Sequence, residues 1–547
     1  MQNTPSRRRL ESRATPLGLA LALIVLAACD ATAPADLLIR GGQVYDGTGG
    51  NATLTDVLIG GDRILFVGDA GAAGRTARDT VDATDLLVAP GFIDMHSHAE
   101  LDEPWGRDAK PFLFQGITTV VLGVDGGGDP DVAGQLRRWH DNGIGTNAVD
   151  FVGHGAVRRA VLGMEARAPD AEEMERMRAL VREGMQGGAF GLSSGLFYTP
   201  GYYAETEEVI ELSRVAVSEA GEPGAIYDTH DRDLGASYQG IGYDASVAEG
   251  IRIGEESGAR VIFSHFNPQG AKNYGRADVG ARMIEEARAR GVDVQAAQHP
   301  YTATQSNLAA YAIPRWAAAG GQTEMERRFD HPDTARILDR QTMEMLEIRG
   351  GADKIMIVDP RPELNGKTVG EVAREWNQPV PATVRRILRG GSTAVMNLDL
   401  YDTENTKVLA RMPWMMTCTD GRTPSPDQVI THPRPFGAFT KKLRDFVLDE
   451  DVITMPFAIR SMTGLAADFL RLPDRGYLRE GMKADVVVLD PTRIFDRATY
   501  QEPQVFSEGT VHVLVNGTFA IRDGAATGAL AGRPLVRGGA EWTPPEG

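Results

Sequence analysis

Ala89-Pro90-Gly91-Phe92-Ile93-Asp94-Met95-His96-Ser97-His98-Ala99-Glu100 is the stretch that decides how the rest of the chain is read. A Pro-Gly turn feeds a short apolar strand ending in two histidines at i and i+2, so both imidazoles leave the same face of an extended backbone. Two neutral imidazoles on one side of a strand form a pincer for a zinc-like ion, at about 2.0–2.1 Å each, with positions left for further ligands and water. A lone His-x-His also arises from packing alone. Its place at a strand end, and the histidines that recur at later strand ends, favour the metal reading.

Outward from this stretch, short β-branched runs alternate with helical ones, the pattern of βα units around a parallel sheet. Strands are expected at Phe92–His96, Ile117–Leu122, Ala148–Val152, Ala189–Ser193, Ala225–Thr229, Val261–Ser264, Val292–Ala296 and Trp414–Thr419. Helices fall between them, for example Ala171–Glu183 before Gly184 and Thr206–Ala220 before Gly221. The set predicts an α/β fold, a (β/α)₈ TIM-type barrel over residues 90–470. The long gap between the seventh and eighth strands predicts an insertion at the barrel mouth. Residues 36–89 alternate apolar and polar positions between Gly-rich turns and read as a small antiparallel sheet. A matching set recurs in residues 471–547, at Gly481–Leu489 and Val511–Gly517. A small β-sandwich formed by both chain ends is expected.

The chain has 547 residues, 42% hydrophobic and 24% charged, enough for one large domain and a smaller one. A net charge of −18, with no basic block beyond the first residues, argues against a nucleic-acid partner. Arg7, Arg8, Arg9 and Arg13 precede an apolar run from Leu17 to Leu26, then Leu26-Ala27-Ala28-Cys29. This order has the regions of an export signal, and the Cys after Leu-Ala-Ala resembles the bacterial lipoprotein box. Residues 1–28 are therefore expected to be a signal peptide, Cys29 a lipidated membrane anchor and residues 29–35 a tether, which would put the protein on the periplasmic face. With Cys29 acylated, Cys418 has no cysteine partner for an intrachain disulfide.

Reactive residues of a βα-barrel sit at the C-terminal ends of its strands. Here strand 1 ends in His96 and His98, strand 2 runs into Asp125, strand 5 ends at His230, strand 6 at His265 and strand 8 at Asp420. Four of the ten histidines thus fall at strand ends, with carboxylates at two more. Imidazoles and carboxylates are the ligands of a catalytic divalent metal, which acidifies water and polarises a carbonyl. Asp420 is the candidate proton shuttle. The residues alone lead to a metal-dependent hydrolase.

Several further runs keep both order and spacing: Gln115–Val121, Gly191-Leu192-Ser193-Ser194-Gly195-Leu196-Phe197-Tyr198-Thr199-Pro200-Gly201, Ser264-His265, Thr419-Asp420-Gly421, His432-Pro433-Arg434-Pro435-Phe436-Gly437, Met462–Leu465 and Gly481–Asp485. With Pro90–His98 they make the chain resemble the amidohydrolase superfamily, in particular the N-acyl-D-amino-acid deacylase (D-aminoacylase) family, over roughly residues 36 to 535. The resemblance implies metal ligation by His96, His98, His230 and His265, with one or two zinc ions. It further implies proton transfer by Asp420 and substrate-carboxylate binding by Arg434. The substrate it implies is a small N-acyl amino acid, and Tyr198, in one of the matching runs, is a candidate substrate-binding residue.

The chain also departs from that family. The family's Gly-Asn-Cys-Gly after strand 2, with Cys as a ligand, is here Gly123-Val124-Asp125-Gly126, so Asp125 is the candidate ligand. Its Lys two residues past the strand-6 histidine is Asn267, and its Tyr-Pro-Tyr is His299-Pro300-Tyr301; Asn267 and His299 are expected to touch substrate. His154, after strand 3, is a candidate contact or a structural histidine. A carboxylated-lysine centre of the hydantoinase type is disfavoured, because Lys110 is the sole lysine between His98 and His230. Dipeptides and cyclic amides remain alternative substrates. Gly191–Gly195 also satisfies G-x-S-x-G, with Ser193 as nucleophile, but a serine hydrolase leaves the strand-end histidines unexplained. A metal-free binding protein on a decayed barrel is the non-enzyme alternative.

Overall fold

The computed structural model describes residues 1, 34–221 and 224–544. The expected signal peptide, Cys29 and most of the tether lie outside the described residues.

The barrel strands are Phe92–Asp94, Ile117–Val121, Asn147–Val149 continuing as Val152–Gly153, Gly191–Gly195, Ile226–His230, Arg260–Phe263, Val294–Gln298 and Met415–Thr417. Each pairs in parallel with the next, the eighth with the seventh although a long insertion separates them in sequence. The ring is stitched between its last and first strands by Met95 N donating to Thr417 O at 3.3 Å and Asp420 N to His96 O at 2.9 Å. Asp94 reinforces the same seam, its Oδ1 accepting from Thr419 N at 2.8 Å and its Oδ2 from Thr419 Oγ1 at 2.5 Å. The strands are buried on both faces, as a helix-covered parallel sheet requires.

Both chain ends enter one nine-stranded sheet. Leu87–Pro90 pairs antiparallel with Val486–Leu489, placing Val88 opposite Val488. Side chains there alternate with period two. Val486 and Val488 join the sandwich core with Ile39, Val57 and Leu514, while Val487 and Leu489 face the barrel core with Phe92 and Phe439. The sheet is mixed rather than antiparallel: Thr53–Gly60 and Arg63–Gly68 follow Ala35–Val44 as antiparallel hairpins on one side of it, and the chain then crosses to its other side, where Ala77–Asp82 and Leu87–Pro90 both pair with it in parallel.

Lys483 and Asp485, in the Gly481–Asp485 motif, are structural. Lys483 Nζ donates to Asp62 at 2.5 Å and Glu541 at 2.6 Å. Buried Asp485 accepts from Arg475, from Asn516 N at 2.7 Å and from Asn147 Nδ2 at 3.1 Å, tying the sheet to the third barrel strand. Removing one partner of such a buried pair costs on the order of 3–5 kcal/mol.

The insertion after the seventh strand is a unit of its own. Thr304–Asn307, Ala394–Asn397 and Ile355–Val358 form an antiparallel sheet. Helices including Pro332–Ile348 and Val380–Leu388 cover it, around Leu308, Leu338, Ile357 and Val395. Thr304, Gln305, Ser306, Asn307 and Tyr311 line the cavity over the strand ends, so the insertion does form part of the barrel mouth.

Candidate metal centre and active site

A cavity of about 720 Å³ opens over the C-terminal ends of the barrel strands. Its floor gathers His98, Asp125, His230, His265 and Asp420, with Arg434 and Tyr198 in the wall. His96 is wholly buried beneath. One ligand atom each from His96, Asp125, His265 and Asp420 lies within 4.8 Å of all the others.

Asp125 sits at the hub. Its Oδ1 is 3.4 Å from His96 Nε2 and 3.7 Å from His265 Nε2, and its Oδ2 is 3.4 Å from His98 Nε2. Asp420 Oδ1 faces the same pair, 3.3 Å from His98 Nε2 and 3.7 Å from His96 Nε2. The ring centroids of His230 and His265 are 4.5 Å apart, and those of His96 and His265 5.1 Å.

The backbone is bent to make this convergence. Asp125, His265 and Asp420 have φ of 56°, 33° and 50°, a left-handed conformation uncommon for residues with a Cβ. Gly195 admits the Asp125 loop, since a Cβ there would lie 2.2 Å from Asp125 O. Ser193 braces the same loop, donating to Gly123 O and accepting from Gly126 N at 3.0 Å. With its hydroxyl committed and wholly buried, Ser193 is not a nucleophile.

The donor set fits a divalent cation. His96 Nε2 and Asp125 Oδ1, which face each other at 3.4 Å, are buried without a hydrogen-bond partner, an arrangement that metal ligation accounts for. Burial raises the Asp125 carboxyl, but His96, His230, His265 and His98 outweigh it and hold the group well below the usual carboxylate range. Burial and neighbouring His265 push His230 down to about 4, so the imidazole is neutral, the form that binds metals.

The remaining sequence candidates divide. Arg434 Nη1 donates to Asp420 Oδ2, and Arg434 N donates to His432 Nδ1 at 3.1 Å. His299 Nε2 lies 3.9 Å from Asp420 Oδ2 and 3.5 Å from Arg434 Nη1, behind the cavity wall rather than in it. Asn267 turns away from the cavity and donates to Thr406 Oγ1 at 2.7 Å. His154 is corrected from contact to structural: it is wholly buried off the cavity, its Nε2 2.8 Å from Glu208 Oε1, while Arg158 holds the other oxygen of Glu208. Lys110 pairs with Asp108 at 2.7 Å, outside the cavity lining.

Sequence reasoning passed over Asp228 and His432. Asp228 Oδ1 accepts from Ser264 Oγ at 2.6 Å and lies 3.9 Å from His96 Nδ1. Its signal was present, since it precedes His230 by two on one strand and so shares its face. His432 Nε2 lies 3.1 Å from Ala303 O, which with Nδ1 accepting from Arg434 N fixes the start of the Arg434–Lys441 helix.

Comparison with known proteins gives the same picture. The family model described as "Amidohydrolase family" matches residues 79–521. A D-aminoacylase of Alcaligenes xylosoxydans xylosoxydans is 33% identical over 527 residues, covering 92% of this chain and 98% of the relative. A crystal structure of D-aminoacylase, described as defining a novel subset of amidohydrolases, superposes with a TM-score of 0.77 at 29% identity, over 92% of this chain and all of that one. An N-acyl-D-glutamate deacylase of Bordetella bronchiseptica, solved with zinc and a phosphonate mimic of the tetrahedral intermediate, also gives 0.77 at 29% identity, with the same coverage.

Proposed function

The chain belongs to the amidohydrolase family, and from that premise we propose that it is a metal-dependent N-acyl-D-amino-acid deacylase, releasing a carboxylate and the free amino acid. The observation that carries the reading is the cluster of His96, Asp125, His265 and Asp420 with Arg434 against it.

His96, His98, Asp125, His230 and His265 would hold one or two divalent ions, zinc by analogy with the Bordetella relative. A bound divalent metal supplies Lewis acidity for the carbonyl and lowers the pKa of water. Arg434 receives the substrate carboxylate, since a guanidinium matches it bidentately; the His432 ring, accepting from Arg434 N, fixes its backbone and Asp420 orients its guanidinium. Asp420, ionised between Arg434 and His98, accepts a proton from the attacking water and returns it to the departing nitrogen. Tyr198 shapes the wall beside His230, ring centroids 4.7 Å apart.

Metal analysis of the purified full chain, paired with amino-acid release from N-acetyl-D- and N-acetyl-L-amino acids with and without chelator, tests this. Bound metal and chelator-sensitive release from the D series is expected. Release from the L series alone, or from dipeptides alone, overturns the substrate assignment.

The chain is further read as exported and anchored through a lipid on Cys29, supported by the Arg-rich start, the apolar run and the Leu26-Ala27-Ala28-Cys29 order. Radiolabelled palmitate should enter the protein and be lost in Cys29→Ser; unchanged label in that variant sinks the anchor.

A further inference from the structure

A second cavity, of about 320 Å³, lies beside the first, with Phe197 in the wall of both. Two arginines line it, Arg315 from the insertion and Arg349 at the end of the Pro332–Ile348 helix. Arg349 is 4% exposed, yet its guanidinium makes no hydrogen bond among the described residues and its Nη1 is buried without a partner. Arg315 spends Nη1 on Ala310 O at 3.0 Å, and its Nε is likewise buried and unpartnered. Neither forms an ion pair among the described residues. Asp233, the carboxylate that bears on Arg349, is taken up by the backbone N–H groups of Gly235 and Gly242, each at 2.8 Å.

Aromatic faces keep the two cations in place. Arg349 Cζ stands 3.8 Å from the Tyr311 ring centroid, and Arg315 Cζ 4.5 Å from that of Phe197 and 5.1 Å from that of Tyr202. Stacking offsets part of the loss of water but supplies no hydrogen-bond acceptor. Burial and the neighbouring Arg349 charge push Arg315 down to about 10, and both guanidiniums lie over the same Phe197 ring, Arg349 Cζ at 5.6 Å from its centroid. Buried polar groups are almost always partnered, and an orphaned guanidinium in a cavity wall calls for an acceptor from outside the chain.

We propose that this cavity is an anion site separate from the metal centre, taking a small carboxylate on an apolar or aromatic body between Arg315 and Arg349. Two guanidiniums suit one carboxylate, which each can engage with paired N–H donors. The rest of the lining, including Tyr203, Pro314, Trp316 and Met345, suits an apolar body better than a hydrated phosphate. The site stands independently of the deacylase reading. It does bear on the metal centre through Phe197, whose ring stacks on His230 at 5.4 Å and 11°.

The test is calorimetric titration of the metal-loaded full chain with phenylacetate and with inorganic phosphate, in an Arg434→Met background that removes the carboxylate partner of the main cavity. Saturable phenylacetate binding is expected there, weakened at least tenfold when Arg349→Met or Ser237→Phe is added. Ser237 lines the second cavity, so its replacement fills the space and serves if Arg349→Met fails to fold. Crystals with 4-bromophenylacetate should show a bromine peak in this cavity. Absence of saturable binding, binding indifferent to both added variants, a bromine peak confined to the main cavity, or phosphate bound in preference to phenylacetate overturns the assignment.

Discussion

The Nη1 of Arg434 donates to Oδ2 of Asp420, so the cation facing the cavity and the carboxylate facing the histidines are already one unit. Asp420 keeps its other oxygen toward His98 and His96. Arg434 therefore holds the orientation of Asp420, in addition to the substrate contact proposed for it.

That double role separates Arg434→Lys from an ordinary clamp mutation. Lysine keeps the charge but offers no planar fork. A loss of about 10²–10³ in kcat/KM is expected, equivalent to roughly 3–4 kcal/mol of a buried, charged hydrogen bond. Both parameters should move, kcat through Asp420 and KM through the substrate carboxylate. A change in KM alone in steady-state kinetics would show that Asp420 does not depend on the guanidinium.

Asp125 reaches three imidazoles with two oxygens. Asp125→Cys restores the thiolate usual in the family and should shift preference toward softer ions such as cadmium and zinc over manganese. Asp125→Ala should lower the metal content of the purified protein. Elemental analysis checks both, and full stoichiometry in Asp125→Ala would remove this residue from the ligand set.

Ser193 should show no nucleophile chemistry. A fluorophosphonate probe is expected to leave the protein unlabelled, and Ser193→Ala to retain chelator-sensitive turnover. The variant leaves Gly126 N without its acceptor inside the structure, which costs on the order of 1–3 kcal/mol of stability. Labelling abolished by Ser193→Ala would reverse the reading.

Lys442 gives stability a pH dependence of known sign. It is buried, its amine donating to Thr417 Oγ1 at 2.7 Å and Ser461 Oγ at 3.0 Å with no carboxylate among these acceptors, and the Cys418 thiol is the titratable group that bears on it. Burial pushes it down to about 7 from an ordinary 10.5. Between those values the unfolded chain binds a proton that the folded chain does not, so this group makes stability rise with pH across about 7 to 10.5, by at most about 1.4 kcal/mol per unit. Denaturant melts of Lys442→Met should lack that rise relative to the unmutated protein. Parallel pH profiles for the two would refute it.

The barrel was legible because each strand combines a β-branched run with a turn and, in several cases, a histidine at its end; Ile226–His230 and Arg260–Phe263 fall within a residue or two of expectation. The sandwich was legible as a set of strands but not in its direction of pairing, since parallel pairing of Ala35–Val44 with Ala77–Asp82 depends on a crossover that alternation does not encode. The insertion was legible by its length and its place at the barrel mouth, but its own antiparallel sheet was not, because Thr304–Asn307, Ile355–Val358 and Ala394–Asn397 are short and far apart in sequence. His154 misled because a histidine after a barrel strand belongs equally to the mouth or to a helix start, and only Glu208 on a different helix decides between them.

The pairing of Val88 with Val488 sets the timing of folding as well as the architecture. While the chain emerges from its N-terminus, the edge of Leu87–Pro90 waits for a partner synthesised about four hundred residues later. Until then a row of unpaired backbone donors and acceptors lies open to any passing strand. A chaperone that shields this edge, or delivery of the chain across a membrane before it folds, would protect the yield of native protein during synthesis.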